Sequence, residues 1–329
     1  MKGAGAAMAA GGALLVVLFG ASLLAGQVWL SPADVLHGLT SPKPDLASLI
    51  VVELRLPRAV LAVAIGAALG LCGAALQGLL RNPLADPGLL GVSSGAALGS
   101  VLAIYFGLAA QVALAAPVLG LVGALAASAL TFAVGRGGTL SMILAGAAVS
   151  SLAGAGVSLA LNFAPTASGA YEIMTWLMGA LTDRSWEHVR LALPFILVGA
   201  AILASTARAL DVLSLGEAQA ASLGVDLDRL RLTVLVGVAL CVGAATSVAG
   251  AIGFVGLVAP HLVRPVVGHQ PGRTLLPSAL FGAVLLLAAD IGSRLLRYNG
   301  EEIKLGVFTA LVGAPFFFWL VIRLRRLAP

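Results

Sequence analysis

Residues 59–80 run 22 positions without a charged side chain, with Arg55 and Arg58 before them and Arg81 after. A helix of that length crosses a hydrocarbon core of roughly 30 Å. Only Gln77, near one end, asks for a polar partner. The run stops at Arg81-Asn82-Pro83, and Pro87 follows. Proline lacks the amide donor that a helix interior needs, so residues 81–88 read as a stiff turn. The unit is one bilayer crossing followed by a tight return.

The rest of the chain has the same character. Of its 329 residues 60% are apolar and 10% charged, against about 25% charged in soluble domains, and the mean hydropathy is +1.06. Ten crossings of about 20 residues use roughly 200 positions, which leaves short loops and no room for a soluble domain of ordinary size. The expectation is a single all-α, polytopic membrane domain over residues 1–329. The net charge of +5 fits cytoplasmic loops that collect Arg and Lys rather than a nucleic-acid surface. Cys72 and Cys241 fall in apolar runs and read as small hydrophobes, with neither a disulfide nor a metal role.

In order, the apolar run 4–30 exceeds a signal-peptide core and reads as a retained first helix. With the N-terminus inside, 31–52 lies outside, and crossings follow at about 59–80, 89–106, 113–134 and 139–163. Residues 165–190 carry Tyr171, Trp176 and Trp186 among polar groups and read as an interfacial excursion. A crossing at about 191–207 leads to the most polar segment, 208–231, whose apolar spacing fits two short helices on the inner face. Residues 232–249, a shorter crossing 252–267 broken by Pro260 and Pro265, 275–295 and 305–322 complete ten, with both termini inside. Eleven of the 19 Lys and Arg then lie inside and eight outside, Lys43 among the latter. That bias is weak, so the outward arginines need a reason of their own. Gly73-Ala74, Leu80, Pro83 and Gly91 recur 177 positions later as Gly250-Ala251, Leu257, Pro260 and Gly268, a faint sign of two related halves, about 58–165 and 232–322.

The wording of several segments carries more. R-L-P-R at 55–58, N-P-L-A-D-P-G-L-L-G-V-S-S-G-A at 82–96, W-L-M-G-A-L at 176–181, S-L-G-E-A-Q-A-A-S-L-G-V at 214–225, G-A-I-G-F-V-G-L-V-A-P-H-L-V-R at 250–264 and L-V-G-A-P-F-F at 311–317 resemble, in the same order, the permease subunits of binding-protein-dependent ABC importers for iron chelates, haem and cobalamin. The resemblance implies the type II importer permease fold and an inner-membrane homodimer. It also implies two copies of an ATP-binding subunit and a periplasmic substrate-binding protein as partners. No cofactor, no catalysis on the substrate and no nucleic acid are implied. The chain has no P-loop, and its only lysines are Lys2, Lys43 and Lys304, so the motor is a separate subunit.

Three candidate sites follow. Arg55 and Arg58 flank Pro57, and Arg294 sits near the outer end of its helix; they fit a basic patch for carboxylates of the binding protein, and by resemblance arginines at these places receive its glutamates. The resemblance also implies a cytoplasmic gate at Asn82, Leu84, Thr139 and Leu140, the last apolar where a related permease has a small hydroxyl. Leu215, Gly216, Glu217, Ala221, Leu223 and Gly224 correspond to the segment that couples to the ATPase.

Two other classes compete. A secondary transporter needs ion-coupling acids inside the bilayer, and Asp290 is the main intrahelical charge. Gly91-Val92-Ser93-Ser94-Gly95 matches G-x-S-x-G, which would make Ser93 or Ser94 a nucleophile with His261 as base, but that motif requires a strand-turn-helix setting.

Overall fold

The structure, a computed structural model, describes residues 2–41, 45–298 and 300–327; Lys43, expected on the outer side, lies outside them. Helix α1 (Lys2–Leu24) is followed by α2 (Pro32–Thr40), a helix that sequence reading did not place. The signal for α2 is local: Ser31 caps the Asp34 amide, the Asp34 carboxylate returns the bond, and Pro32 opens the first turn. The three-residue α3 (Leu46–Ser48) runs through π-helical Leu49–Arg55 into α4 (Leu56–Leu79), one continuous rod. A 3-10 turn, Pro87–Leu90, leads to α5 (Val92–Tyr105), then α6 (Leu108–Gln111), α7 (Ala115–Val134) and α8 (Thr139–Asn162).

The aromatic excursion contains a helix, α9 (Ala167–Leu177), started by Thr166. After α10 (Trp186–Ser205) come two short helices, α11 (Ala207–Leu213) and α12 (Glu217–Ser222), as the spacing of 208–231 predicts. They lead to α13 (Leu227–Ala249), α14 (Val255–Val267) and α15 (Pro271–Leu295). A two-residue antiparallel ladder of β1 (Arg297–Tyr298) and β2 (Glu301–Glu302) precedes α16 (Leu305–Leu327). Among the described residues, seven helices are long and apolar enough to cross a bilayer, and three shorter apolar ones accompany them: α5, α14 and the Leu305–Leu320 part of α16.

The centre of the bundle is α4. In the most apolar 18-residue stretch of the Leu46–Leu79 span, 78% of the residues are buried, as in that of α13, against 33% for α8 and 28% for α10. α15 lies along α4, with α14, α13 and α10 around it. Glycine permits this closeness: a Cβ on Gly73 would collide with the Gly256 carbonyl, and one on Gly66 with that of Gly282. Small residues at helix interfaces let backbones approach where lipid offers no hydrophobic drive between helices.

Two expectations are corrected here. Pro260 and Pro265 do not break their crossing; both lie inside α14, and the irregular backbone precedes them at residues 250–254, where Phe254 takes φ +68°. Neighbouring helices re-satisfy the backbone groups that proline frees within a bundle. The second concerns the crossing expected at 89–106: Leu89 and Leu90 belong to the 3-10 turn Pro87–Leu90, closed by Gly91 at φ +79°, so the helix, α5, starts only at Val92. As for the repeat, a shift of 177 pairs Gly73 inside α4 with Gly250 beyond the end of α13, and Pro83 in a turn with Pro260 inside a helix.

Candidate docking, gate and coupling sites

The three candidate arginines lie near the C-terminal end of α1, and two of them bond to it. Arg55 donates through Nη1 to the Leu23 and Leu24 carbonyls at 2.7 and 2.8 Å, and through Nη2 to Val28 at 2.5 Å. Arg294 donates to the Ser22 and Ala25 carbonyls at 2.9 and 3.2 Å, to Ser22 Oγ at 3.1 Å, and to Asp290. Helix C-terminal carbonyls lack intrahelical partners and carry partial negative charge, so two guanidiniums satisfy that end. The cost is exposure: Arg55 is 7% exposed and Arg294 3%.

Arg58 turns the other way. Its Nε donates to Asp290 Oδ1 and its Nη2 to Glu302 Oε2, both at 2.9 Å, and Arg297 reaches the second Glu302 oxygen at 3.3 Å. Asp290 is fully buried between Arg58 and Arg294, so it is locked in an ion pair. A cavity of about 330 Å³ opens beside the cluster, lined by Arg55, Arg58, Arg184 and Arg294 against Asp183 and Glu302. Sequence reading missed Glu302 and Ser22 as partners, since neither has a local signal.

At the opposite end of α4, Arg81 takes the left-handed conformation, φ +49°. Asn82 Oδ1 accepts the Leu84 amide at 2.9 Å, the side-chain turn that asparagine favours. Beneath it, Gln77 donates to the Ala85 carbonyl at 3.2 Å and accepts from Arg264 at 2.6 Å. Leu84 is half-buried and Leu140, on the first turn of α8, exposed. On the coupling segment, Gly216 (φ +119°) opens α12 and Gly224 (φ +86°) follows it. Ala220 is buried, while Leu215, Ala221 and Leu223 are exposed, which gives one anchored face and one apolar face open to a partner.

The candidate gate and candidate coupling residues meet at one bond. Thr139 Oγ1, at the start of α8, donates to Glu217 Oε1 at 2.8 Å, and Arg231 of α13 holds the other oxygen at 3.1 Å. The Thr139 hydroxyl, then Arg231 and the charge of Arg81, keep the Glu217 carboxylate below its ordinary range, against desolvation. Two residue sets read separately from the sequence thus share one side chain.

The G-x-S-x-G stretch lacks its required setting: Ser93 and Ser94 open α5 behind a 3-10 turn, with no strand before it. His261 lies edge-on to Phe316 at 5.8 Å between centroids.

Comparison with known proteins agrees with this architecture. A cobalamin import system permease protein of Halobacterium salinarum is 45% identical over 284 residues, covering 84% of this chain and 74% of its own length. The hemin transport system permease protein of Yersinia pestis is 40% identical over 320 residues, 95% and 94% of the two chains. A solved structure described as the inward-facing conformation of a transporter assigned to the metal-chelate ABC type superposes with a TM-score of 0.85 at 34% identity, over 95% of this chain and 98% of that one. The profile of the FecCD transport family matches residues 14–323. This multi-pass membrane permease therefore belongs to the FecCD transport family.

Proposed function

We propose that the chain is the membrane subunit of an ATP-driven importer that moves an iron chelate, siderophore or haem, or cobalamin, inward across a bacterial cytoplasmic membrane. The observation that carries this reading is the Thr139–Glu217 hydrogen bond, 2.8 Å long, which ties a segment shaped for an outside partner to the end of a membrane helix.

The three shorter helices complete ten crossings with both termini inside. The chain works as a homodimer with the pathway on the two-fold axis, each copy resting on one ATP-binding subunit through Leu215, Gly216, Glu217, Ala221, Leu223 and Gly224. Closure of the ATPase pair displaces α12. Glu217 then carries Thr139 and the first turn of α8 with it, and the constriction at Asn82, Leu84, Thr139 and Leu140 opens or seals by admitting or excluding water. The periplasmic binding protein docks over the arginine cluster. All three arginines line the cavity there; Arg58 is the least buried of them, and Arg55 and Arg294 act as fixed positive charge. α1 is retained, because its removal would take from Arg55 the Leu23 and Leu24 carbonyls and from Arg294 both Ser22 acceptors.

Asp290 speaks against ion-coupled transport, since a carboxylate clamped between two guanidiniums has no free site for an ion. The deciding measurement is uptake of labelled ferric siderophore, haem and cobalamin by vesicles holding the chain with a candidate ATPase and binding protein. ATP-dependent uptake of one of them is expected, and Glu217→Arg should keep hydrolysis while abolishing uptake. Uptake by the chain alone, or normal coupling in the variant, refutes the reading.

A further inference from the structure

Arg184 lies in the connection between α9 and α10 and lines two cavities at once, the arginine-rich one and a neighbour of about 320 Å³. No carboxylate among the described residues is within ion-pair distance of it. Its Nε is buried with no hydrogen-bond partner, and its Nη1 is 3.5 Å from His188 Nε2. The other imidazole nitrogen, Nδ1, accepts the Ser185 amide at 3.3 Å. A neutral ring so engaged carries its proton on Nε2. Two donors therefore face each other, and a third points at nothing.

A half-buried guanidinium whose Nε is sealed off without an acceptor is unfavourable, and burial pushes the proton affinity of Arg184 down, with Asp183 only partly offsetting it. Lys304, just before α16, adds a second cation to the lining of the neighbouring cavity, and Thr175 and Ser247 add hydroxyls. Glu172 and Asp183 line it too, but both are exposed and neither pairs with Arg184. What is missing is an acceptor with two oxygens, the geometry a guanidinium binds best.

We infer that this cavity receives an oxyanion, carboxylate or phosphate, of a small solute, with Arg184 as principal ligand and Lys304 and the His188 Nε2 proton as further donors. The inference rests on the importer reading, in which this end faces outward and the anion is an arm of the incoming chelate. A cavity of this size sits at the small end of ligand pockets, so it holds the arm while the bulk of the solute stays outside. It favours solutes with free carboxylates or phosphates over those whose carboxylates are amides.

The test uses the full chain in nanodiscs of neutral lipid, titrated with citrate and with inorganic phosphate at ionic strength fixed with chloride. Tryptophan fluorescence is the readout, since Trp176 lines the cavity. A saturable change with at least one anion is expected, weakened tenfold or more by Arg184→Gln and partly kept by Arg184→Lys. Stronger binding of citrate assigns a carboxylate, and the reverse a phosphate. Lys304→Glu, outside the helices and lining only this second cavity, must also weaken binding tenfold, and it decides the matter if Arg184→Gln does not fold. No saturable response to either anion, or one unchanged in Arg184→Gln or Lys304→Glu, overturns the inference. Binding needs neither ATP nor a partner, so lost uptake with intact binding sinks the importer reading alone, and intact uptake without binding sinks this inference alone.

Discussion

Asp290→Asn isolates the most enclosed charge among the described residues. The asparagine keeps the volume and one acceptor and removes the charge that Arg58 and Arg294 share. Arg58 retains Glu302 at 2.9 Å, whereas Arg294 is left with neutral carbonyls and a hydroxyl. Each charge-assisted bond contributes about 1.5–3 kcal/mol, and removing one partner of a buried pair typically costs about 3–5 kcal/mol because the other charge stays desolvated. The variant should therefore lose about 3–5 kcal/mol in reversible unfolding from mixed micelles. A double variant, Asp290→Leu with Arg294→Met, removes both charges and should fall short of the summed single costs by about 2 kcal/mol. A loss below about 1 kcal/mol for Asp290→Asn, or additivity within about 0.5 kcal/mol, would refute the assignment of this cluster as a desolvated lock.

Gly73→Ala forces a methyl into the Gly256 carbonyl, a backbone atom that no rotamer change can move aside, so the thermal midpoint in micelles should fall by the equivalent of about 1–3 kcal/mol, while Gly12→Ala, with open space around it, leaves it unchanged. Arg58→Glu should weaken capture of the binding protein by membranes and flatten its salt dependence; unchanged affinity removes Arg58 from docking. Glu217 carries a native pKa below its ordinary 4.5, so its contribution is present above that value and lost as pH falls through the lower native one. The melting difference between wild type and Glu217→Gln should accordingly be flat from neutral pH to about pH 5 and shrink only in stronger acid; a difference already fading between pH 8 and 6 would contradict the Thr139 and Arg231 contacts.

Hydropathy marked the crossings because lipid demands it of every exposed face, and the two-helix form of 208–231 was legible because its apolar spacing is local. The helices α2 and α9 were not read, although Ser31 with Asp34 and Thr166 are ordinary starting signals, since both sit in segments polar enough to pass for loops. That Arg55, Arg58 and Arg294 could form one patch followed from their places at the ends of apolar runs, but the direction of their donors did not. An arginine next to an apolar run looks the same whether it faces water or the carbonyls of a helix 30 residues earlier. The bond from Thr139 to Glu217 joins positions 78 apart, and no periodicity encodes it.

The enclosure of α4 bears on the order in which the protein can be assembled. Its neighbours α13, α14 and α15 are all made after it, and Arg58 finds Asp290 only 232 residues later. Gln77 likewise waits 187 residues for Arg264. A nascent chain halted ahead of α14 therefore presents the Arg58 guanidinium without its carboxylates and the Gln77 oxygen without its arginine, so the insertion machinery must shelter this helix until the second half of the polypeptide has emerged from the ribosome.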